Sequence, residues 1–428
     1  VFGFFGQDYP GRKNKVQSTK NKVQRPGTRM DPLADRNILD VKIERLLPGG
    51  VGLAHSEGQT IFVSLAAPGD VLRVEIERTR GKVAFASIRK VLEPSSVRME
   101  PPCPYFGLCG GCDFQQLTYE AQLATKVEII RDCLHRIAQI ELPSELKIHP
   151  APKQWQYRTR ANWQADAIRN RLGYFARGSN DVCDVEYCAV LVPEVQETLE
   201  RVRAELLEGS MTLPLKNIEA VGGDEGVSVA PSIGELQTTV VSRRIGTETY
   251  HFSAESFFQI NNDLLEPLLV EALCESDNDE GNLAIDLYCG VGLFTVPLAR
   301  RFERVVGIEA NSRATEFARQ NLEFAKLENA AIVTSRVGDW LQQYSRTLGA
   351  VDFLLLDPPR TGAENRDIAG ILALRPRQIS YVSCDPATLA RDLKKLIAAG
   401  YALDSVVAFD IFPQTHHVET VVRLHLNS

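Results

Sequence analysis

The chain has 428 residues, of which 44% are hydrophobic and 24% are charged, and its formal net charge is −7. This length predicts two or three domains, and the balance of residue types is typical of a globular protein. No apolar run reaches the roughly 20 residues that span a bilayer, and no secretion signal is evident, so we expect a cytoplasmic protein without a membrane partner. Nine cysteines are too few for a disulfide scaffold and indicate reduced, metal-binding or catalytic thiols.

Residues 1–36 form a basic, polar segment. Between Arg12 and Arg29 there are seven Lys or Arg residues and no acidic residue. This composition predicts a disordered tail. Such a tail is either simply solvated or an arm that contacts nucleic acid, and the composition fits both alternatives.

Residues 37–92 have the pattern of short strands separated by Gly and Pro turns. In the segment V-L-R-V-E-I-E, apolar and charged residues alternate, which places one face inward and one face toward solvent. About five strands in so short a segment predict a small closed β-barrel, because closure removes exposed sheet edges.

Residues 93–255 predict a central α+β domain. A connector rich in Pro, Gly and Cys comes first, and residues 119–137 and 195–207 have helical spacing of their apolar positions. Six basic residues surround a single acid, Asp166, in strand-like sequence, which predicts a surface that faces phosphates. These six are Lys153, Arg158, Arg160, Arg169, Arg171 and Arg177.

Four cysteines of this central domain predict a metal centre. Cys103, Cys109 and Cys112 lie in C-P-Y-F-G-L-C-G-G-C, and Cys188 lies far downstream. The paired glycines allow two thiolates to turn toward one centre. Four thiolates suit either an iron–sulfur cluster or tetrahedral zinc, although the spacing differs from that of paired zinc knuckles.

Residues 256–428 show alternating strands and helices, which predicts a Rossmann-like, mostly parallel sheet covered by helices on both faces. The segment D-L-Y-C-G-V-G places Gly290 and Gly292 where a strand turns into a helix. An acid at the end of the next strand, Glu309, suits a ribose. A third glycine is missing at Thr295, so the pocket fits S-adenosylmethionine better than NAD. Asp357, in D-P-P-R, ends a further predicted strand.

Cys384 has a setting unlike that of the other cysteines. It follows a short apolar strand and precedes a helix whose N-terminal dipole favours a thiolate. Asp385 beside it opposes the thiolate by its charge, so the sequence leaves the pKa of this thiol open. The pattern indicates a nucleophile.

Together these motifs resemble the RNA uracil-5-methyltransferases, and in particular their branch that acts on bacterial 23S ribosomal RNA and carries a TRAM domain and a [4Fe–4S] cluster. The resemblance begins near residue 36. It rests on S-F-F-Q-I-N, D-L-Y-C-G-V-G, D-P-P-R, V-S-C-D-P-A-T-L-A-R-D and F-P-Q-T-H-H-V-E, in this order. Some relatives have Asn where this chain has Leu293.

The resemblance implies roles for individual residues. Cys384 would be the nucleophile and Glu419 the base, whereas His416 and His417 are rival bases on chemical grounds. The residues implied to line the S-adenosylmethionine pocket are Gln259, Tyr288, Glu309, Asp339 and Asp357. The residues implied to bind the cluster are Cys103, Cys109, Cys112 and Cys188.

The implied activity is methylation of carbon 5 of a uridine, through a covalent bond between Cys384 and carbon 6, by a monomeric protein whose partner is RNA. The implied substrate is 23S ribosomal RNA, with transfer RNA as the alternative. A non-catalytic RNA-binding protein is a rival interpretation, but it predicts degraded catalytic motifs. Amino-methylation needs no thiol nucleophile, so Cys384 argues against that third possibility.

Overall fold

The computed structural model describes residues 37–208, 217–273 and 281–427. The basic segment at residues 12–29, predicted to be a disordered arm, lies outside the described residues. No helix among the described residues is long and apolar enough to cross a membrane.

The N-terminal part has six strands, β1 (Ile38–Lys42), β2 (Arg45–Leu47), β3 (Val51–Ser56), β4 (Gln59–Val63), β5 (Val71–Arg80) and β6 (Val83–Glu93). They form one sheet in the order β1-β5-β6-β4-β3-β2. The predicted alternation holds along β5, where Leu72 and Val74 are fully buried and Arg73 between them is exposed. The inward-facing residues form a small apolar core of their own, which includes Ile61 and Val63.

The central part combines two helices with a second sheet. Helix α1 (Tyr119–Cys133) continues into a π-helical turn at Leu134–Ala138, and helix α2 (Pro193–Leu207) covers one face of the sheet. The sheet has the order β10-β9-β8-β11-β12. The strands of this part are β7 (Ile148–His149), β8 (Arg160–Asp166), β9 (Arg171–Phe175), β10 (Val182–Asp184), β11 (Asn217–Gly222) and β12 (Val227–Ala230).

The C-terminal part is an α/β layer structure, as predicted, preceded by the hairpin β13 (Val241–Ile245) and β14 (Glu248–Phe252). Its strands are β15 (Gly281–Leu287), β16 (Phe302–Glu309), β17 (Ala330–Thr334), β18 (Phe353–Leu356), β19 (Gln378–Ser383), β20 (Tyr401–Phe409) and β21 (Glu419–Leu426). Its helices are α3 (Leu265–Leu273), α4 (Thr295–Ala299), α5 (Ser312–Phe324), α6 (Val337–Tyr344), α7 (Asn365–Leu374) and α8 (Pro386–Ala398).

One eight-stranded sheet organises the catalytic half, in the order β17-β16-β15-β18-β19-β21-β20-β7. The first five strands are parallel, and β21 is antiparallel to both β19 and β20. The last strand, β7, comes from the central part and pairs with β20. The two parts are therefore joined by a shared sheet as well as by packing, which the sequence did not indicate.

Candidate active site and cysteine centre

The carboxyl edge of the large sheet brings the predicted catalytic residues together. Leu356 of β18 pairs with Tyr381 of β19, so Asp357 and Cys384 follow neighbouring strands at the same edge. Strand β21 starts from this edge, and its Thr420 pairs with Ser383. Glu419 and Cys384 are thus adjacent in the register, although 35 positions of sequence separate them.

Cys384 lies at the start of helix α8. The Asp385 side chain caps this helix by accepting a hydrogen bond from the Thr388 N–H at 2.8 Å. Pro386 occupies the first helical position, where its missing N–H costs nothing. These two residues end the strand and begin the helix, so the thiol is held in the turn between them.

Burial, together with the carboxylates of Glu419 and Asp357, raises the pKa of the Cys384 thiol to about 12. The Arg360 guanidinium acts in the opposite direction. The pKa that the sequence left open is therefore raised in the free protein.

Glu419 is buried, with 3% of its surface exposed. Its Oε1 atom has no hydrogen-bond partner within the described residues. Burial and the neighbouring carboxylate of Asp357 hold the pKa of Glu419 well above its usual range. A carboxylate in this state binds a proton readily, and its free oxygen is available to accept one.

The two histidines behave differently from Glu419. Nδ1 of His416 is hydrogen-bonded to the Asp113 carboxylate, so one ring nitrogen is occupied by the central part of the chain. Burial, the adjacent His416 and Arg360 lower the pKa of His417 to about 2. His417 is therefore a poor proton acceptor in this setting.

Two of the predicted cofactor residues shape the turn after β15. Tyr288 has a positive φ of 64°, which is unusual for a residue with a Cβ and is often found at functional sites. The Glu309 carboxylate accepts hydrogen bonds from the N–H groups of Gly290 at 3.2 Å and Asn311 at 2.7 Å. At Gly290 a Cβ would meet nothing within 4 Å, so open space faces this turn.

Gln259 and Asp339 differ in their surroundings. Gln259 is buried, and its neighbour Asn261 donates to the Ile411 carbonyl at 3.2 Å, which fixes this segment against the loop before β21. Asp339 lies in the first turn of α6, more than half exposed, and forms an ion pair with Arg366 at 2.7 Å. The structure therefore gives Asp339 a surface partner.

Asp286 is a site residue that the sequence analysis passed over. It is fully buried at the end of β15, and one carboxylate oxygen accepts from Thr295 Oγ1. The other oxygen, Oδ1, has no partner within the described residues. Burial raises its pKa to about 7, and the carboxylates of Asp357 and Glu309 add to the shift. The sequence feature that could have identified Asp286 is an acidic residue inside the apolar run L-A-I-D-L.

The four predicted ligand cysteines line one shared cavity. Cys103, Cys109, Cys112 and Cys188 are all free thiols. The loop that carries the first three is fixed to β9, because Gly110 N–H donates to the Phe175 carbonyl at 2.9 Å. The fold thus brings Cys188 close to the loop that carries the other three cysteines, more than 70 positions earlier in the sequence.

The chemistry of this donor set fits a resident metal group. The Gly111 N–H points at Cys109 Sγ from 3.3 Å, a contact that favours a charged sulfur. Burial raises the pKa of Cys109 to about 11 and that of Cys112 to about 12, and the neighbouring thiols add to both shifts. Several thiolates can coexist here only beside a compensating positive charge. Among the described residues, no three His, Cys, Asp or Glu side chains are arranged to hold a single metal ion.

A fifth cysteine lies near this centre. The Cys183 thiol raises the pKa of Cys109, and Cys103 in turn raises the pKa of Cys183. Strand pairing explains the proximity, since Cys183 of β10 lies opposite Tyr174 of β9. The sequence analysis did not include Cys183 in the ligand set, and only the fold brings it there.

The predicted basic surface is divided by the structure. Arg158 lies beside the cysteine cavity, which it helps to line. Arg160 forms an ion pair with Glu219 at 3.0 Å and donates to two backbone carbonyls. Arg177 donates to the Cys112 carbonyl at 3.0 Å. These three guanidiniums are partly buried and each lies against another part of the fold, so their contact with phosphates stays a prediction. Lys153 and Arg169 are more than half exposed.

Comparisons with known proteins agree with this geometry. Residues 235–427 match the family described as tRNA (Uracil-5-)-methyltransferase, and residues 35–88 match the TRAM domain. A Pectobacterium atrosepticum protein named 23S rRNA (uracil(1939)-C(5))-methyltransferase RlmD is 32% identical, over 90% of this chain and 92% of its own. An uncharacterized RNA methyltransferase from Aquifex aeolicus is 33% identical, over 91% of this chain and 98% of its own.

A solved structure is similar over most of the chain. It is the Pyrococcus abyssi tRNA (uracil-54, C5)-methyltransferase in complex with S-adenosyl-L-homocysteine. The TM-score is 0.69 at 26% identity, and the match covers 90% of this chain and all of the other. This similarity extends over most of the fold described above.

Proposed function

The chain belongs to the RNA uracil-5-methyltransferase family, and on that premise we propose that it methylates carbon 5 of a uridine in 23S ribosomal RNA, with Cys384 as nucleophile and Glu419 as base. The reaction uses S-adenosylmethionine. One observation carries the residue assignment: the β19–β21 register sets Cys384 beside Glu419 at the sheet edge where Asp357 also ends its strand.

The uracil ring explains why a thiol is needed. Carbon 5 of uracil is a weak nucleophile, and addition of the Cys384 sulfur to carbon 6 places negative charge on carbon 5. S-adenosylmethionine, when bound, supplies an electrophilic methyl group. Cys384 holds the pyrimidine in place while the new carbon–carbon bond forms.

Glu419 then restores the ring. It removes the proton from carbon 5, the double bond re-forms, and the bond between carbon 6 and Cys384 breaks, which returns the thiolate. The raised pKa of Glu419 and its free Oε1 support this role. His416 is already bonded to Asp113, and His417 has a pKa of about 2, so neither rival is as well suited.

The residues at the ends of β15, β16 and β18 would hold S-adenosylmethionine. They present three carboxylates, from Asp286, Glu309 and Asp357, toward a ligand that carries positive charge. The unpartnered Oδ1 of Asp286 and the open space at Gly290 fit a ligand with donor groups. We assign Asp286 to this pocket and leave Asp339 as its least supported member.

We expect the affinity for S-adenosylmethionine to rise by up to about tenfold between pH 6 and pH 8. Burial raises the pKa of Asp357 to about 7, so this carboxyl is mostly neutral at the lower pH and mostly ionised at the higher pH. The ionised form attracts the sulfonium. The affinity for S-adenosylmethionine should therefore increase as the pH rises. Calorimetric titration measures it. In Asp357→Asn the pH dependence should flatten, and an unchanged slope would contradict the assignment.

The choice of RNA rests on the relatives. Those named for 23S ribosomal RNA are about one-third identical over nine-tenths of the chain, whereas the solved structure named for transfer RNA is 26% identical. The target base must leave its stack to reach Cys384, which costs a few kcal/mol and less in a loop. The TRAM sheet and the central part would hold the surrounding RNA, and the protein would act as a monomer in the cytoplasm.

Methylation of purified RNA tests this substrate. The protein and S-adenosylmethionine are incubated with unmodified 23S ribosomal RNA and, in parallel, with unmodified transfer RNA. Mass spectrometry of nuclease fragments then locates 5-methyluridine. Modification of one uridine in the ribosomal RNA is expected. Modification of transfer RNA alone would replace the proposed substrate with the alternative.

We further propose that Cys103, Cys109, Cys112 and Cys188 bind a [4Fe–4S] cluster. Protein purified without oxygen should be brown and contain iron. Cys112→Ser should lose both the colour and the iron, because it removes a ligand. The matched control is Cys183→Ser, which alters a thiol beside the same centre and should keep both. A colourless protein with one zinc per chain would establish the zinc alternative instead.

A further inference from the structure

The loop between β20 and β21, at residues 410–418, leads directly into Glu419, and the segment that follows Cys112 holds it in place. We propose that Asp113 is a positioning residue: through His416 it ties the cysteine centre to the loop that sets the catalytic base. This inference rests on the proposed roles of Cys384 and Glu419, and it assigns a function to the connection between the central part and the active site.

Asp113 binds the loop at two atoms of one residue. Its Oδ1 accepts from the His416 N–H at 2.8 Å, and its Oδ2 is bonded to Nδ1 of the same histidine. The N–H groups of Asp113 and Phe114 both donate to the Gln414 carbonyl, at 3.1 and 3.0 Å. A segment that begins one residue after Cys112 thus pairs with the loop through its side chain and its backbone.

Helix α1 and the segment that leads into β8 also contact this loop. Gln122 accepts from the Gln414 N–H at 2.9 Å and donates to its side-chain oxygen at 3.0 Å. Lys126 is fully buried, forms an ion pair with Asp410, and donates to the Phe412 carbonyl at 3.0 Å. The Tyr157 hydroxyl donates to the Pro413 carbonyl at 2.8 Å. The central part therefore makes hydrogen bonds to several consecutive residues of the loop.

The loop conformation needs these partners. Gln414 has a positive φ of 68°, which costs energy for a residue with a Cβ and persists only where surrounding contacts impose it. Gln414 receives contacts from Gln122, Asp113 and Phe114 together. If the segment after Cys112 moves, the loop loses the contacts that favour this backbone, and Glu419, which pairs with Phe409 in the sheet, loses the support of the loop that precedes it.

The TRAM sheet touches the same point. Gly50, in the turn between β2 and β3, has a φ of +73°. A Cβ added there would lie 3.2 Å from His416 Cβ and 3.3 Å from Asp113 Oδ2. The turn is therefore packed closely on the Asp113–His416 pair, and all three parts of the protein meet beside the catalytic loop.

The consequence is a dependence of catalysis on an intact cysteine centre. Asp113 is the immediate neighbour of Cys112, one of the proposed cluster ligands, so a cluster bound there would help to fix Asp113. A base displaced by about 1 Å can cost on the order of 100-fold in rate, even when the change lies outside the reacting atoms. Proton removal from carbon 5 is the step that depends on Glu419, so that step should suffer first.

The test compares Asp113→Asn with wild-type holoprotein and with Asp132→Asn. Asp132 is a matched control, because it lies on α1 and joins Arg45 of the TRAM sheet at 3.1 Å without contacting the loop. Hydrogen exchange of peptides covering residues 410–418 is measured without RNA. The kcat, the KM for RNA and the fraction of RNA in a denaturant-stable adduct are then measured, with visible absorbance as the check on the cysteine centre.

We expect Asp113→Asn to keep its absorbance and its KM for RNA, to exchange faster at residues 410–418, and to lose on the order of 10- to 100-fold in kcat while adduct accumulates. Asp132→Asn should change none of these quantities. Unchanged exchange in Asp113→Asn overturns the proposed tie. Faster exchange with unchanged kcat and no adduct overturns the positioning role.

A second variant keeps the proposal testable if Asp113→Asn loses its metal group or misfolds. His416→Gln removes the contact between Nδ1 and Asp113 from the loop side, keeps the contact from the backbone N–H, and leaves the segment beside Cys112 unaltered, so it should show exchange and adduct changes of the same direction. The proposed function fails separately, since a wild-type protein that forms no 5-methyluridine would refute it whatever the Asp113 variant does.

Discussion

Replacement of Cys384 by alanine is expected to abolish formation of 5-methyluridine, with a loss of at least about 10⁴-fold, the scale seen when a covalent nucleophile is removed. Among the described residues at this edge, the groups beside Cys384 are the carboxylates of Glu419 and Asp357. Neither can replace the thiol in the addition to carbon 6. Transfer of labelled methyl groups from S-adenosylmethionine to RNA measures the loss.

The control for this result is a cysteine outside the site. Cys133 is buried in helix α1, so Cys133→Ala removes a thiol and leaves a small cavity without touching the reacting residues. It should keep near-wild-type activity. Cys384→Ala should retain affinity for S-adenosylmethionine, which shows that its pocket is intact. Appreciable methylation by Cys384→Ala would refute the nucleophile assignment.

Glu419→Gln should give a different defect, in which the covalent adduct between protein and RNA accumulates. The amide cannot accept the proton from carbon 5, so the methylated pyrimidine stays bonded to Cys384. Turnover should fall by about 10²- to 10⁴-fold, the usual contribution of a general base. Denaturing electrophoresis with labelled RNA detects the adduct as a slowly migrating band, and mass spectrometry of the linked peptide should identify Cys384 with an added methyl group on the pyrimidine.

His417→Gln serves as the comparison, because His417 is the rival base in the same loop. Its low pKa predicts that this variant eliminates product normally and leaves no more adduct than the wild-type protein. The double variant Cys384→Ala, Glu419→Gln should form no adduct at all. If adduct accumulated in His417→Gln and turnover survived in Glu419→Gln, the roles of the two residues would have to be exchanged.

Much of the fold was predictable from local patterns. The helix predicted at residues 119–137 is found as Tyr119–Cys133 with a π-helical turn to Ala138, and the helix predicted at 195–207 is found at Pro193–Leu207. Each has a periodicity that its own residues impose, because apolar positions at a spacing of two or 3.6 residues permit only one regular structure to bury them. The expected family membership is confirmed by the relatives.

The basic residues of the central part show what local patterns leave open. Arg160 and Arg177 have a spacing that suggested a solvent-facing patch, but they donate to carbonyls and carboxylates inside the fold. Composition cannot distinguish these uses, since an arginine satisfies a buried carbonyl as well as it binds a phosphate. Partners distant in sequence, such as Glu219 for Arg160, decide the outcome.

The residue types that the chemistry needs are determined by the sequence alone: one isolated thiol before a helix, a late carboxylate, acids at strand ends and four clustered cysteines. These residue types follow from the bonds that the reaction must make and break. Those bonds do not depend on how the chain folds. Only the tertiary structure decided the pKa values of these groups and the contacts that hold them in place. The pKa of Cys384, the free oxygen of Glu419 and the hold of Asp113 on His416 arise from burial and from contacts across as many as 303 positions, which no local window of sequence contains.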